Sequence, residues 1–502
     1  MKRFAWFAFI LVIATYILQP IQDPDLGWHI TVGRWIVANL KVPTEELWNR
    51  FALGKEWIAY SWSNEVVLAL VDQFFALKGL FILKFIIILF FTISLFYFYG
   101  RISRDYFFGS LLGCLAACAT YNHITLRPQL ITWILLITLL FVLDEIENRG
   151  LSKYRIACLI IVFSLWSNTH LSAIIGLVTV FMWLFVKEDP KLSFIALGYS
   201  ILGTFITPYF GKEWLTFFSK ADHPLQMSQI AEFSSATILQ FPTAFLIISV
   251  VLLITFLHFK PTVISECKII LCMIFVGGSL AVIKFIPQAV IILCACTAVA
   301  WRKIKTENIK IASFTDSIEK FRSLYNFIPL EGLTFVFIAL SICNFYPRWN
   351  ELEIPEAYPK PAIDFFIEND LPHPIMSTFG AGGHLMYRFS DQKGNLEHKV
   401  ALDGRTNVNK KEIWEAFIDA SQLNINWQNY FNLVEPETVI WKNGLPITTM
   451  LLHENEWCRV FLSGDKNKKG FSVFVKRDFW LNHQSLESDN CSPKVDDKNT
   501  KK

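Results

Sequence analysis

The chain has 502 residues, of which 53% are hydrophobic, 15% are aromatic and only 18% are charged. Charged residues make up about a quarter of an ordinary soluble domain, so this balance excludes a soluble globular protein. The formal net charge of +3 is close to neutral and gives no reason to expect nucleic acid as a partner. The composition predicts a polytopic membrane protein.

Apolar runs in chain order predict about eleven membrane spans. The predicted spans are Phe4–Gln19, Gly79–Tyr99, Phe107–Tyr121, Leu130–Leu143, Ile156–Ser167, Leu171–Val186, Leu192–Thr207, Phe241–His258, Ile269–Ile283, Phe285–Ala300 and Leu330–Cys343. An odd number of spans places the chain ends on opposite sides. Lysine and arginine concentrate in alternate connections, including the loop from Arg302 to Arg322. This distribution predicts a cytoplasmic N-terminus on an uncleaved anchor and an exterior C-terminal region.

The first exterior segment, residues 22–78, opens with "QDPDLGWHITVGRW". Two stretches in it, "GWHITVGRWIVANL" and "SWSNEVVLALVDQFFAL", have helical amphipathic spacing and are too short to span a membrane. We expect both to lie in the membrane interface. The tryptophans Trp28, Trp35, Trp57 and Trp62 are expected to be interfacial anchors rather than sugar-stacking platforms.

Composition also predicts the domain organisation. Residues 1–345 form a membrane domain that includes the exterior loop 22–78, residues 346–482 form a small exterior α/β domain, and residues 483–502 form a disordered tail. Strand-like runs are "PIMSTF", "KVALDG", "ETVIWK", "RVFLSG" and "FSVFVKR", and helical stretches are "PAIDFFIEND" and "KKEIWEAFIDASQL". The segment "FGAGGHLMYRF" is interpreted as a turn rather than a phosphate-binding loop. The cysteines lie mostly in apolar runs and predict no disulfide framework.

Polar residues near the predicted spans gather at the exterior face. They are Asp23, Asp25, His29, His123, Arg127, Asn168, His170, Asp222, His223, Glu232 and Lys284. Ionisable groups at membrane depth are costly and are usually functional or paired. Because these groups fall at one depth, they favour a site in the outer leaflet over a channel.

These residue types suit the transfer of a group from a lipid-linked phosphate to an acceptor hydroxyl. A carboxylate near the surface can accept the proton of the acceptor as general base. Arg127, Lys284 and the histidines can hold the phosphate through charge-assisted hydrogen bonds. Asp23 and Asp25 could equally be a helix cap and a first-turn acid ahead of "GWHITVGRWI", and the residues alone leave both readings open.

The order of several motifs resembles a known family. The segments "DPDLGWHITVGRWI", "LRPQL", "LWSNTHLSAIIGL", "TPYFGKEW" and "ALDGRTNV" are similar to those of bacterial GT-C-type membrane glycosyltransferases and their uncharacterised relatives. The resemblance implies a GT-C-like α-helical polytopic fold, a catalytic acid in the first exterior loop, a polyprenyl-phosphate sugar donor and an exterior soluble domain.

Carried over by position, the resemblance makes Asp25 the catalytic base, with Asp23 as its alternate or partner. The predicted donor and phosphate contacts are His29, Arg127, Asn168, His170 and Lys284. Acceptor or loop contacts are predicted at His123, His223 and Glu232.

No cofactor is predicted. A divalent metal on Asp23, Asp25, His29 and Glu232 is left open but not favoured, because hard-metal sites usually need more carboxylates. The predicted partners are a polyprenyl-phosphate-linked sugar, the lipid bilayer and an unidentified glycan, lipid or protein acceptor, in a bacterial cytoplasmic membrane. A non-catalytic scaffold or sensor and a lipid-linked glycan transporter are the rival functions.

Overall fold

A computed structural model describes residues 2–17, 21, 23–219, 230–307, 320, 336, 339, 359–464 and 470–492. Contacts divide the chain into two compact units. The first comprises residues 1–21, 60–64 and 74–352, and the second comprises residues 22–59, 65–73 and 353–502. Composition alone had grouped loop 22–78 with the membrane domain, whereas contacts group most of it with the C-terminal region. Apart from two isolated positions, the predicted span Leu330–Cys343 lies outside the described residues.

The first unit is helical. Its helices are α1 (Lys2–Ile17), α3 (Trp62–Ser103), α4 (Tyr106–Thr120), α5 (Pro128–Arg149), α6 (Lys153–Ser167), α7 (Ala173–Leu184), α8 (Lys191–Thr204), α9 (Glu213–Ser219), α10 (Phe241–Phe259), α11 (Glu266–Ala281) and α12 (Ile286–Thr306). The predicted apolar runs in the described part of the chain all lie on these helices. Four helices of the described residues are long and apolar enough to cross a membrane: α3, α5, α10, and α12 together with the short turn that precedes it.

Helix α12 is the central element of the first unit. Its residues from Ile286 to Trp301 are buried on every face, as expected of a helix that is apolar all round. Trp301 stacks on Phe108 of α4 with ring centroids 4.5 Å apart. Near the end of α12, Arg302 pairs with Asp144 at 2.9 Å. Paired charges offset much of the cost of their partial burial.

The second predicted interfacial stretch is the first part of α3. This helix breaks at Ala76, whose backbone angles are φ 51° and ψ −152°. Residues 65–73, just before the break, belong to the second unit. The "SWSNEVVLALVDQFFAL" segment is therefore largely the part of α3 before the break, and its location in the membrane interface stays a prediction.

The second unit combines α2 (Leu26–Asn39) with a mixed sheet and its helices. The strands are β1 (Ile375–Ser377), β2 (Thr438–Lys442), β3 (Trp457–Leu462) and β4 (Phe471–Lys476), in the order β1-β2-β4-β3. Strands β1 and β2 are parallel, and the other pairs are antiparallel. The helices are α13 (Lys360–Glu368), α14 (Phe379–Phe389), α15 (Lys411–Gln422), α16 (Gln428–Val434), α17 (Pro446–His453) and α18 (Arg477–Asn482).

Three expectations for this unit need correction. The run "KVALDG" forms no strand and makes a single bridge from Val400 to Asn49. The "FGAGGHLMYRF" segment is helix α14 and not a turn, and one of its glycines, Gly383, lies in a close helix contact described below. Cys458 and Cys491, the two cysteines in polar sequence, form a disulfide. The disulfide holds residues near 491 on the domain, although the sequence had assigned 483–502 to a disordered tail.

Candidate functional site

Asp23 and Asp25 form the turn at the start of α2. Asp25 is the N-cap residue, and its backbone oxygen accepts a hydrogen bond from the backbone N–H of His29 at 3.2 Å. The Asp25 side chain makes no capping hydrogen bond. The buried carboxylate of Asp23 accepts the backbone N–H of Asp25 at 3.0 Å. The Asp25 carboxylate therefore does not cap the helix, whereas Asp23 stabilises the turn.

The carboxylate of Asp25 occupies the space left by a missing side chain at Gly404, in the "ALDGRTNV" motif. A Cβ added to Gly404 would lie 1.9 Å from Oδ1 of Asp25 and 3.3 Å from Nε1 of Trp28. The backbone of Gly404 is not in the left-handed region. The glycine is thus required for steric reasons, because any side chain there would displace the Asp25 carboxylate.

Close backbone contact between α2 and α14 fixes the position of this turn. A Cβ on Gly27 would lie 2.3 Å from the backbone oxygen of Gly383, and a Cβ on Gly383 would lie 2.6 Å from the backbone oxygen of Pro24. Both glycines allow the helices to approach more closely than alanine would. This packing explains Gly383 of the "FGAGGHLMYRF" segment.

Further along α2, Arg34 joins a charged network. Its Nη2 donates to Oδ2 of Asp72 at 2.7 Å, and the Tyr387 hydroxyl donates to Oδ1 of the same carboxylate at 3.0 Å. The Arg34 guanidinium also lies 4.6 Å from the centre of the Tyr387 ring. Charge-assisted hydrogen bonds and the cation–π contact orient α2 on α14. Sequence reasoning did not identify this network, because its members are distant in sequence.

His29 lies inside the second unit and not at its surface. The side chain is 4% exposed, its Nδ1 is 3.4 Å from Oε1 of the buried Glu65, and its ring stacks on Trp28 with centroids 3.5 Å apart. Trp28 and Trp57 are 6% and 3% exposed. These two tryptophans pack in the interior of the unit, so the expectation that they are interfacial anchors is wrong for them.

A buried ion network connects Glu46 to the C-terminal region. Arg405 donates to both carboxylate oxygens of Glu46, at 2.7 and 2.9 Å, and its Nε donates to Oδ1 of Asp403 at 2.9 Å. Burial alone would lower the pKa of the Arg405 guanidinium, but the two carboxylates raise it above its ordinary value. The Asp-Gly-Arg sequence therefore has two roles, since Asp403 and Arg405 hold the fold while Gly404 receives Asp25.

In the first unit, the structure brings together four of the predicted residues. Arg127 Nη1 donates to Oε1 of Glu232 at 2.5 Å, and Lys284 Nζ donates to Oε2 at 2.9 Å. Burial alone would raise the pKa of Glu232, but Lys284 and Arg127 outweigh it and lower the pKa to about 2. His123 interacts with all three groups, and burial lowers its pKa below the ordinary value. The imidazole is thus neutral at pH 7.

Asn168 and His170 lie in a separate turn of this unit. The Asn168 side chain accepts from Trp62 Nε1 at 2.7 Å and donates to the backbone oxygens of Ser164 and Ile206, each at 2.7 Å. These bonds make Asn168 a structural residue of the turn. His170 Nδ1 accepts the backbone N–H of Ser172 at 3.0 Å, so the proton of the neutral ring is on Nε2.

His170 also lines a cavity that sequence reasoning did not predict. Glu213 and Trp214 of the "TPYFGKEW" motif also line this cavity. Burial raises the pKa of the Glu213 carboxyl above its ordinary value. A lone acid in an aromatic segment gave no signal that would have selected Glu213.

Two of the predicted polar residues, Asp222 and His223, lie outside the described residues. In the described part of the chain, no three His, Cys, Asp or Glu side chains are grouped as metal ligands. Asp23, Asp25 and His29 belong to the second unit, and the remaining described site residues belong to the first.

Comparison with known proteins identifies a structural relationship without sequence similarity. No protein-family description and no curated protein matches the sequence. Two solved structures of oligosaccharyltransferases from Archaeoglobus fulgidus match the fold. The first, AglB in complex with an inhibitory peptide and a dolichol-phosphate, has a TM-score of 0.52 and 10% identity, and the match covers 94% of this chain and 74% of that one.

The second, an oligosaccharyltransferase tethered through a disulfide to an acceptor peptide containing the NVT sequon, has a TM-score of 0.51 and 10% identity. That match covers 87% of this chain and 69% of the other. At such low sequence identity, a structural match shows a shared fold and does not show a shared activity. The chain is a polytopic membrane protein with the fold of GT-C-type glycosyltransferases and a small C-terminal α/β domain, which confirms the fold predicted from its sequence.

Proposed function

We propose that this protein transfers a sugar from a polyprenyl-phosphate donor to an acceptor hydroxyl at the outer face of a bacterial cytoplasmic membrane. The observation that carries the proposal is the placement of the Asp25 carboxylate. It is half-buried at the start of α2, makes no capping hydrogen bond and lies in a space that Gly404 leaves open. An acid held in this way by its surroundings is suited to act as a general base.

In the proposed reaction, the Asp25 carboxylate accepts the proton of the acceptor hydroxyl as the hydroxyl oxygen attacks the anomeric carbon of the donor. The bond between that carbon and the phosphate oxygen breaks, and the phosphate leaves with the bonding electrons. Asp23 supports the base by holding the backbone N–H of Asp25. It is the alternate base should Asp25 be dispensable.

We propose separately that Arg127 and Lys284 of the first unit bind the phosphate of a lipid. With the ionised Glu232, these side chains carry one more positive than negative charge. Charge-assisted hydrogen bonds from such a group hold a phosphate. The dolichol-phosphate bound by the first structural neighbour supports a lipid-linked phosphate as donor class. Cationic side chains can supply this stabilisation, so we propose a reaction that needs no metal or other cofactor.

The Cys458–Cys491 disulfide supports an exterior C-terminal region. Disulfides persist in oxidising compartments such as the bacterial periplasm and are rare in the cytosol. Because Asp25 belongs to the same compact unit as this region, the proposal places the chemistry on the exterior side.

The test is sugar transfer by the purified full-length protein in nanodiscs, supplied with a panel of radiolabelled polyprenyl-phosphate sugars. Wild type is compared with Asp25→Asn and with Asp364→Asn. Asp364 is a matched control because it lies in the same unit as Asp25. Among the described residues, its ion pairs are with Lys360 and Arg388, near the surface. We expect Asp25→Asn alone to lose transfer. A scaffold, sensor or transporter would show no transfer with any donor.

A further inference from the structure

We propose that the cavity lined by Glu213 and His170 binds a primary ammonium group, supplied by a lipid headgroup or by a free amine. The cavity lies within the first unit. Neither Glu213 nor His170 enters the proposed sugar transfer, so this binding site goes beyond the proposed function.

The cavity forms where four helices of the first unit begin or end. Helices α6 and α8 end there, and helices α7 and α9 begin there. The cavity contains about 290 Å³ of space between the atoms, part of it open to solvent. This volume is near the lower limit for small-molecule sites, so the cavity suits a small ligand or one end of a larger one. Its lining includes Ser167, His170, Ala173, Thr204, Glu213 and Trp214.

Glu213 brings a buried carboxylate to this cavity. The residue is 6% exposed, and neither of its side-chain oxygens makes a hydrogen bond among the described residues. Burial raises the pKa of the carboxyl, and neutral groups of Thr207 and Gly211 offset this rise only in part. Buried carboxylates are normally paired with a cation or fully hydrogen-bonded. A cationic ligand with N–H donors would supply what Glu213 lacks.

The other groups at the cavity bring no full positive charge. Among the described residues, no lysine or arginine lines it. His170 is neutral, because its Nδ1 accepts the backbone N–H of Ser172. The partial charges of two helix C-termini and two helix N-termini oppose each other. The Glu213 carboxylate therefore sets the sign of the charge, and the cavity favours a cation over a phosphate.

The residue types at the cavity suit an ammonium group better than a metal ion. An ammonium group has three N–H donors, which the Glu213 carboxylate and the Ser167 hydroxyl can accept. Trp214 and Phe217 also line the cavity, and aromatic rings attract such cations. A hard metal ion needs six or more oxygen ligands. In the part of the chain that the structure describes, no three His, Cys, Asp or Glu side chains are grouped as metal ligands.

The test is thermal unfolding of the full-length protein in phosphatidylglycerol nanodiscs, followed by intrinsic fluorescence. Methylammonium chloride is compared with tetramethylammonium chloride and potassium chloride at equal ionic strength. A ligand that binds the folded protein raises its melting temperature. We expect methylammonium to raise the melting temperature more than tetramethylammonium does, because tetramethylammonium has no N–H donor.

Two variants locate the effect. Glu213→Gln should weaken the apparent affinity for methylammonium by roughly 10- to 100-fold, as expected for the loss of a hydrogen bond to a charged group. Glu188→Gln is the matched control, because it removes the charge of an exposed carboxylate in the same unit. We expect Glu188→Gln to keep the affinity of wild type.

Nanodiscs that also contain phosphatidylethanolamine distinguish the two sources of the ammonium group. If this lipid raises the melting temperature of wild type and removes the further effect of methylammonium, the ligand is a lipid headgroup. If methylammonium keeps its effect in these nanodiscs, the ligand is a free amine. Either result supports the ammonium site.

The inference is overturned if methylammonium and tetramethylammonium stabilise wild type equally, a comparison that requires no variant to fold. A potassium effect equal to that of methylammonium also overturns it, since the ligand would then be a metal ion. An unchanged affinity in Glu213→Gln would remove the assignment to this cavity. Because sugar transfer is not measured, failure of the proposed function leaves this test unaffected.

Discussion

Replacing Gly404 by alanine tests whether the position of the Asp25 carboxylate matters for transfer. The added Cβ would lie 1.9 Å from Oδ1 and 3.0 Å from Cγ of Asp25, while ordinary contact begins near 3.4 Å. The carboxylate oxygen must therefore move by roughly 1.5 Å, and a misplacement of about 1 Å can cost about 100-fold in rate. We expect kcat for sugar transfer to fall by about that factor.

The fold should survive this change, because the backbone of Gly404 lies outside the left-handed region and alanine can adopt it. Gly380→Ala is the control, since a Cβ at Gly380 of α14 would meet no atom within 4 Å. Transfer is measured for both variants in nanodiscs at matched thermal stability. Wild-type activity in Gly404→Ala would refute the reasoning that this carboxylate acts from its observed position.

Three further predictions concern stability, each measured by intrinsic fluorescence during thermal unfolding. The pKa of Glu232 is lowered from 4.5 to about 2, so its ion pairs stabilise the fold above pH 4.5 and are lost as the pH falls towards 2. Glu232→Gln should remove this pH dependence of stability. A variant with the same pH profile as wild type would contradict the stabilising role of Glu232. Arg405→Met leaves two buried carboxylates without their cation and should lower the free energy of unfolding by about 3–5 kcal/mol. Arg388→Met removes a more exposed ion pair and should lower it by under about 1 kcal/mol. Equal losses of stability in the two variants would refute the role of the buried network. Cys458→Ser should cost about 2–4 kcal/mol, and Cys491→Ser should cost the same; clearly unequal losses would contradict a shared bond.

The helical architecture could be predicted from sequence because long apolar runs report directly on membrane helices. The runs that became α5 and α12 are examples in which hydropathy alone predicted the first residue of the helix within two positions and the last within six. The break at Ala76 could not be predicted, since alanine strongly favours a continuous helix. Residue preference also misled the interpretation of helix α14, because its three glycines usually indicate a turn.

The candidate site was predicted in part. Charge and topology selected Arg127, Glu232 and Lys284, which the structure places in one cluster. The contact of Asp25 with Gly404 joins residues nearly 400 positions apart, and no local pattern encodes it. The same is true of Arg405 and Glu46. Both contacts form because segments far apart in sequence pack together in the second unit. Periodicity and composition describe only local sequence, so they do not predict which distant segments pack together.

The central claim is that Asp25 is the base for sugar transfer, and a single-turnover experiment tests it most directly. Wild type and Asp25→Asn are saturated with an active polyprenyl-phosphate donor in nanodiscs, mixed with acceptor and quenched over time. We expect a rate for Asp25→Asn that is about 10²- to 10⁴-fold lower, the usual contribution of a general base. A rate within about threefold of wild type would contradict it, since an amide cannot take the proton at this position.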